Sequence, residues 1–170
     1  MATIERLKPD QWQRLRDMRL CLLKSDPDSF GSTLEREQNY SAEEWAERSG
    51  NPNVATFLAT ENGIDYGISV GGPYRNHGRD YAGMYSVWVD PTMRGRGFGV
   101  QLVEAAISWA KKAGFDEMCL EVGDHNTSAI SLYERYGFLR TRNTLALDPP
   151  RDHITEHERC LDLRDAMNES

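Results

Sequence analysis

The 170-residue sequence predicts a single-domain α/β fold in which about seven short strands are interleaved with amphipathic helices. Three observations carry that expectation. Runs of period two recur along the chain, as at 85–89, where Tyr85, Val87 and Val89 alternate with Ser86 and Trp88. Runs of period 3.6 lie between them, as where Leu102, Ala106, Trp109, Ala110 and Ala113 mark one helix face that Val103 and Ile107 widen. Clusters of Gly, Pro, Asn and Asp separate the two kinds of run. No internal repeat, low-complexity tract or linker interrupts them, so residues 1–165 read as one domain and 166–170 as a polar tail.

Residues 3–7 alternate as a short strand that Pro9-Asp10 closes. Over 11–23, Trp12, Leu15, Met18 and Leu22 form a helical stripe with Arg14, Arg16 and Arg19 on other faces. Residues 25–31 are dense in turn formers, a helix follows over 33–40, and another starts after Ser41, an N-cap with Glu44 completing a capping box. Strands over 54–60 and 64–71 are joined by Asn62-Gly63, a strong hairpin signal. Gly72-Pro73 is expected to end the second, leaving 73–80 as a polar loop with Arg75, His77 and Arg79 solvated. After the stretch at 85–113, Lys111 and Lys112 suit a helix C-terminus and Gly114 its cap. Residues 117–122 read as a strand with Cys119 and Glu121 on one face; Asp124, His125 and Asn126 open a helix that Gly137 stops. Strands over 138–147 and 156–163 flank Asp148-Pro149-Pro150.

The formal charge of -7 argues against a broad nucleic-acid surface, and no run is long and apolar enough for a membrane span. The N-terminus lacks the regions of a signal peptide, which points to the cytoplasm. Cys21, Cys119 and Cys160 are dispersed and read as buried free thiols. His153 and His157 have the spacing of metal ligands on a helix but sit in turn-like and strand-like sequence, so exposed histidines and no metal are expected.

Chemistry concentrates at 85–99. Asp90-Pro91 ends the strand, and Gly95, Gly97 and Gly99 lead straight into the helix. A glycine loop opening a helix aims backbone N–H groups and the positive end of the helix dipole at one point, where an anion such as a pyrophosphate can sit; Arg94 and Arg96 add charge. The plain alternative is a tight strand-to-helix turn. No Gly-Lys-Ser/Thr follows, which excludes a Walker loop, and the glycine spacing does not suit a dinucleotide fold.

The Arg94-x-x-Gly97-x-Gly99 loop after Val87-x-Val89-Asp90-Pro91 resembles the acyl-CoA-binding motif of the GNAT superfamily of N-acetyltransferases. Asn126 through Phe138, with Ala129, Leu132, Tyr133 and Gly137 in register, resembles the second motif of that family, and the spacing is similar to that of ribosomal-protein alanine acetyltransferases. The resemblance covers about residues 81–138. It implies a GNAT-like fold: a mixed, mostly antiparallel twisted sheet flanked by helices on both faces and splayed between its fourth and fifth strands. It implies acetyl-CoA as co-substrate and acetyl transfer to a primary amine of a small molecule or a protein or peptide N-terminus by direct attack.

By that resemblance, the backbone of Val87, Trp88 and Val89 lies along the pantetheine arm, with the Val89 N–H as oxyanion donor. The loop of Arg94, Gly95, Arg96, Gly97, Phe98, Gly99 and Val100 holds the pyrophosphate, and Asn126 reaches the pantetheine or caps its helix. Tyr133 matches the family's tyrosine near the cofactor sulfur and would return a proton to the thiolate, with a packed tyrosine as the alternative. Glu121 aligns with the glutamate base of the alanine acetyltransferases, and burial would raise its pKa; a structural ion pair is the alternative, and His125, Glu35 or no dedicated base remain open. Phe30, Glu35 and Trp45 are candidates for acceptor contact, against the reading of Phe30 and Trp45 as core and Glu35 as a solvated charge. A monomer or a homodimer fits equally. The rival function is an acyl-CoA-binding sensor of the same fold that catalyses nothing; a nucleotide-binding protein is disfavoured by the missing Walker lysine.

Overall fold

The structure is a computed structural model, and it describes residues 2–76 and 79–164. Its strands form one seven-stranded open sheet in the order β1-β2-β3-β4-β5-β7-β6, and five α-helices accompany it. The β4–β5 pair is parallel, at Ala82 with Met118 and Gly83 with Cys119, while β1–β2, β2–β3, β5–β7 and β6–β7 are antiparallel. This is the mixed, mostly antiparallel sheet expected. Among the described residues no helix is long and apolar enough to cross a membrane.

Two compact units divide the chain. The first comprises Met1–Gly72 and Met84–Trp109. It holds β1 (Thr3–Arg6), α1 (Trp12–Ser25), α2 (Leu34–Gln38), α3 (Ala42–Ser49), β2 (Ala55–Glu61) and most of β3 (Ile64–Asn76), β4 (Arg79–Val89) and α4 (Phe98–Lys112). The helical stripe does what its spacing predicts: Leu15, Met18, Leu22 and Leu23 of α1 are buried with Leu58, Ile68 and Trp88 of the sheet and with Trp45 of α3. Each such side chain removes about 1.5–3 kcal/mol worth of apolar surface from water. Ser41 and Glu44 form the reciprocal capping box that starts α3. At the β2–β3 hairpin Asn62 and Gly63 both take positive φ, 53° and 78°, as a two-residue turn of that composition requires.

The second unit comprises Pro73–Gly83 and Ala110–Ser170. Here β5 (Glu117–Gly123) is followed by α5 (Thr127–Arg135), β6 (Leu139–Ala146) and β7 (Thr155–Asp162), and β7 lies between β5 and β6.

Several expectations are corrected. β3 runs through Gly72-Pro73 to Asn76 and β4 begins at Arg79, so most of the supposed loop at 73–80 is strand. The last β2 partner of β3 is Gly71, opposite Ala55, and a proline two residues later removes no bond from that ladder. His77 and the side chains of Arg75 and Arg79 lie outside the described residues, as does the tail at 166–170. Cys119 and Cys160 are not free thiols: they face each other in the β5–β7 register with Cα atoms 4.1 Å apart and form a disulfide. The remaining thiol, Cys21, is exposed rather than buried. His153 is exposed as expected, but His157 is buried on β7, with Nε2 3.0 Å from both Asp124 Oδ2 and Arg140 Nη2.

Candidate functional site

In the first unit, Val87, Trp88 and Val89 are the last residues of β4, and the chain turns at once. The Asp90 N–H donates to Tyr66 O at 2.7 Å, and Asp90 Oδ1 accepts from Thr92 N at 2.9 Å, capping a 3-10 turn over Pro91–Met93. Gly95 and Gly97 then take φ of 80° and 86°, values that side chains rarely adopt, and a Cβ on either would meet nothing within 4 Å. The glycines therefore answer to backbone conformation and leave the loop surface bare. The first bond within α4 runs from Gln101 N–H to Gly97 O at 3.2 Å, so the N–H groups of Phe98, Gly99 and Val100 head a 15-residue helix at its positive end. That donor set suits a pyrophosphate.

The two loop arginines are already engaged. Arg94 Nε donates to Val89 O at 2.9 Å and Nη2 to Asp26 Oδ2 at 3.2 Å, while Arg96 forks onto Glu61 at 3.0 and 3.2 Å and lies over the Phe98 ring. Phe98 itself is buried with Ala59 and Leu102, so its side chain anchors the helix start. Asp26 gathers donors from Trp88 Nε1 at 2.7 Å, Ser25 Oγ at 3.0 Å and Arg94. Burial works to raise its carboxyl, but the hydrogen bonds from Trp88 and Ser25 and the charge of Arg94 outweigh that and hold it low.

Two residues on the helical side were not anticipated. Arg19 of α1 and Glu37 of α2 form a buried, two-pronged ion pair, Arg48 adds a bond to Glu37 at 3.0 Å, and Arg19 Nη1 donates to Ser86 Oγ at 2.8 Å. Burial opposes charge on Glu37, yet Arg19 overcomes it and lowers the carboxyl to about 2. Ser86 holds φ at 58° inside β4, a left-handed kink that this bond supports. Of the acceptor candidates, Phe30 is half-buried with the Arg19 guanidinium 6.0 Å from its ring, Glu35 is exposed on α2, and Trp45 is core, edge-on to Tyr40.

In the second unit, Asn126 is the residue before α5, but its side chain makes no capping bond. Its N–H donates to Gly123 O at 3.0 Å, so the local turn is held by backbone and the amide side chain is not used for the cap. Tyr133 is 6% exposed and packs edge to face on Phe138 at 5.9 Å; burial pushes its phenol up, keeping it protonated across the working range. Glu121 is exposed, which removes the burial expected to tune it. It accepts from Tyr74 OH at 3.1 Å, and the same hydroxyl lies 2.6 Å from Glu158. The buried carboxylates on β7 are Glu156 and Glu158, neither singled out by sequence because an isolated Glu in a polar strand reads as solvated.

A strand that ends in a bare glycine loop, with a helix N-terminus behind it, is an arrangement of α/β proteins whose free N–H groups suit an anion. The chain belongs to the acetyltransferase (GNAT) family, whose family model matches residues 13–138. An uncharacterized N-acetyltransferase of Methanocaldococcus jannaschii is 45% identical over 60 residues, which is 35% of this chain and 26% of that protein. The chain thus spans about a quarter of the length of that curated relative. Two solved structures share the fold: the ribosomal-protein-alanine N-acetyltransferase of Brucella melitensis (TM-score 0.77, 19% identity, covering 94% of this chain and 99% of that one) and yncA of Salmonella typhimurium, solved with its cofactor acetyl-CoA (TM-score 0.77, 18% identity, 96% and 94%).

Proposed function

We propose that this protein is an N-acetyltransferase that moves the acetyl group of acetyl-CoA to a primary amine, of a small molecule or of a protein or peptide N-terminus, by direct attack in a ternary complex. The observation that carries this reading is the loop from Arg94 to Gly99. Gly95 and Gly97 adopt positive φ with open space above them, and the loop delivers three successive N–H groups at the head of α4. Those donors suit the pyrophosphate of acetyl-CoA, and the family membership supports the same cofactor. The thioester chemistry is the cofactor's own.

In this reading Val87, Trp88 and Val89 offer strand backbone to the pantetheine arm, and Asn126, whose side chain makes no capping bond, reaches for the same arm. Tyr133 keeps its proton and is the donor to the departing thiolate. Glu121, exposed on β5, accepts the proton of the amine directly or through water. Phe30 and Glu35 remain candidates for acceptor contact. The protein acts in the cytoplasm as a monomer or homodimer.

A second reading, an acyl-CoA-binding module without catalysis, draws on the burial of Tyr133. Raising a phenol above its ordinary range makes it a weaker acid toward a thiolate whose conjugate acid lies near 8.5. Calorimetric titration with acetyl-CoA, with ATP and NAD as controls, tests the cofactor; micromolar binding of acetyl-CoA alone is expected. Thiol release in the presence of primary amines then separates the enzyme from the binding module.

A further inference from the structure

Among the described residues positive φ falls to glycines, to Asn62 in the β2–β3 hairpin turn, and to Ser86, at 58° inside β4. A serine has a Cβ to accommodate in that region, so the left-handed state is unfavourable unless surrounding groups impose it. Arg19 of α1 supplies such a group. Its Nη1 donates to Ser86 Oγ at 2.8 Å, while Nε, at 2.9 Å, and Nη2 fork onto the carboxylate of Glu37 on α2. Glu37 is held in turn by Arg48 of α3 at 3.0 Å and by the Ser32 side chain. All of these residues belong to the first unit.

The network is also buried, with Arg19 5% and Glu37 1% exposed. Taking two charges out of water largely offsets their attraction, so an ion pair at this depth adds little net stability and is better suited to fixing a geometry. A guanidinium gripped at two N–H groups by one carboxylate has its remaining N–H groups aimed in a set direction, and here one of them meets Ser86.

What the kink sets is the stretch that follows it. A left-handed residue in a strand breaks the pleat and re-aims the groups beyond it. Beyond Ser86 come Val87, Trp88 and Val89, and their far end is fixed too: Val89 O accepts from Arg94 Nε at 2.9 Å, and the Asp90 N–H donates to Tyr66 O at 2.7 Å. We propose that Arg19 is a positioning residue for acetyl-CoA: through Ser86 it holds the β4 kink, and with it the direction of the Val87–Val89 peptide groups offered to the pantetheine arm. The cofactor half rests on the acyltransferase reading above; the hold on the strand stands on these bonds alone.

The test uses what residue 86 can adopt. Ser86→Ala removes the hydroxyl and keeps the Cβ that opposes positive φ, whereas Ser86→Gly removes both. Arg19→Lys keeps the charge without the fork. These three variants, and Arg19→Lys combined with Ser86→Gly, are compared with the parent by acetyl-CoA calorimetry and by the backbone amide signal of Val89 in the free protein. Binding should weaken about five- to tenfold in Ser86→Ala and Arg19→Lys, and should lie within about twofold of the parent in Ser86→Gly and in the combination. The Val89 signal should shift in the first two and stay near its parent position in the glycine proteins. Damage to stability alone would not be repaired by glycine at 86. Parent-like binding in Ser86→Ala, equally weak binding in Ser86→Ala and Ser86→Gly, or a Val89 signal that ignores both Ser86→Ala and Arg19→Lys overturns the inference. Should Arg19→Lys not fold, the two variants at 86 still decide. A parent that binds acetyl-CoA no better than any variant leaves the acyltransferase reading standing without the positioning role. A parent that binds no acetyl-CoA removes that reading and the cofactor role together, and the Val89 signals then show whether Arg19 holds the strand.

Discussion

The indole N–H of Trp88, near the end of β4, donates to Asp26 Oδ2 at the exit of α1 across 2.7 Å, and the same oxygen accepts from Arg94 of the glycine loop. One carboxylate thus ties a buried strand residue, a helix end and the proposed cofactor loop together within the first unit. Asp26→Ala leaves a buried indole N–H without an acceptor, which costs about 1–3 kcal/mol. Urea unfolding should show that loss, and Asp26→Asn, which keeps an acceptor for Trp88, should recover most of it. Acetyl-CoA affinity should fall several-fold in the alanine variant as Arg94 loses its tether. Parent-like stability in Asp26→Ala would show that the Trp88 bond contributes nothing.

Gly97 separates backbone conformation from space. A Cβ there meets no atom within 4 Å, yet φ is 86°. Gly97→Ala should therefore cost about 1–2 kcal/mol in stability through the left-handed backbone alone. Its larger effect should be on acetyl-CoA, with affinity reduced about tenfold because the new methyl stands on the face offered to the pyrophosphate. Calorimetry of the folded variant checks this; undiminished affinity would place the pyrophosphate elsewhere.

Tyr133→Phe removes one oxygen from a 6% exposed ring that packs on Phe138, so the fold should tolerate it. Acetyl-CoA affinity should stay within a few-fold while turnover drops about tenfold or more. Unchanged turnover with a verified acceptor would remove the acid role, and a parent without any turnover would favour the binding module.

The parts of the candidate site that are legible in the sequence are those encoded locally. The loop from Arg94 to Gly99 announces itself because strand, turn, glycines and helix follow within one stretch, and the Asn126 to Phe138 segment does the same. Ser41 and Glu44 cap α3 as their spacing requires. What was not legible depends on residues brought together from afar. Cys119 and Cys160 are 41 residues apart, and only the return of β7 beside β5 sets them opposite each other. Tyr74 was hidden behind Pro73, which reads as a strand end unless one knows that the β2 ladder has already finished at Gly71. Glu37, Glu156 and Glu158 look like solvated charges until burial by distant elements gives them meaning.

Glu37 sets an acid limit to stability. Its carboxyl falls from 4.5 to about 2 in the fold, so the unfolded chain binds the proton more readily. The stabilisation is fully present above about pH 4.5 and is lost as pH falls toward 2, amounting to about 3 kcal/mol. Arg19→Met should abolish this gain and leave a buried carboxylate with Arg48 as its remaining guanidinium partner. Urea midpoints measured from pH 6 down to 3 should fall steeply for the parent. The variant should start lower and fall less.

Glu156 works with the opposite sign. Its carboxyl is raised from 4.5 to about 7 by burial and by Glu121, with Arg151 pulling the other way, so the folded protein holds the proton that the unfolded chain gives up. Stability therefore falls as pH rises from about 4.5 through 7, and above that the ionised, buried carboxylate costs up to about 3 kcal/mol. Glu156→Gln should match the parent near pH 4.5, where both side chains are neutral, and exceed it increasingly up to pH 8. His125→Gln, which changes the ring lying against Gly123, the residue opposite Glu156, provides a control on the assignment of the slope. If Glu156→Gln and the parent show the same pH dependence, the slope does not belong to Glu156.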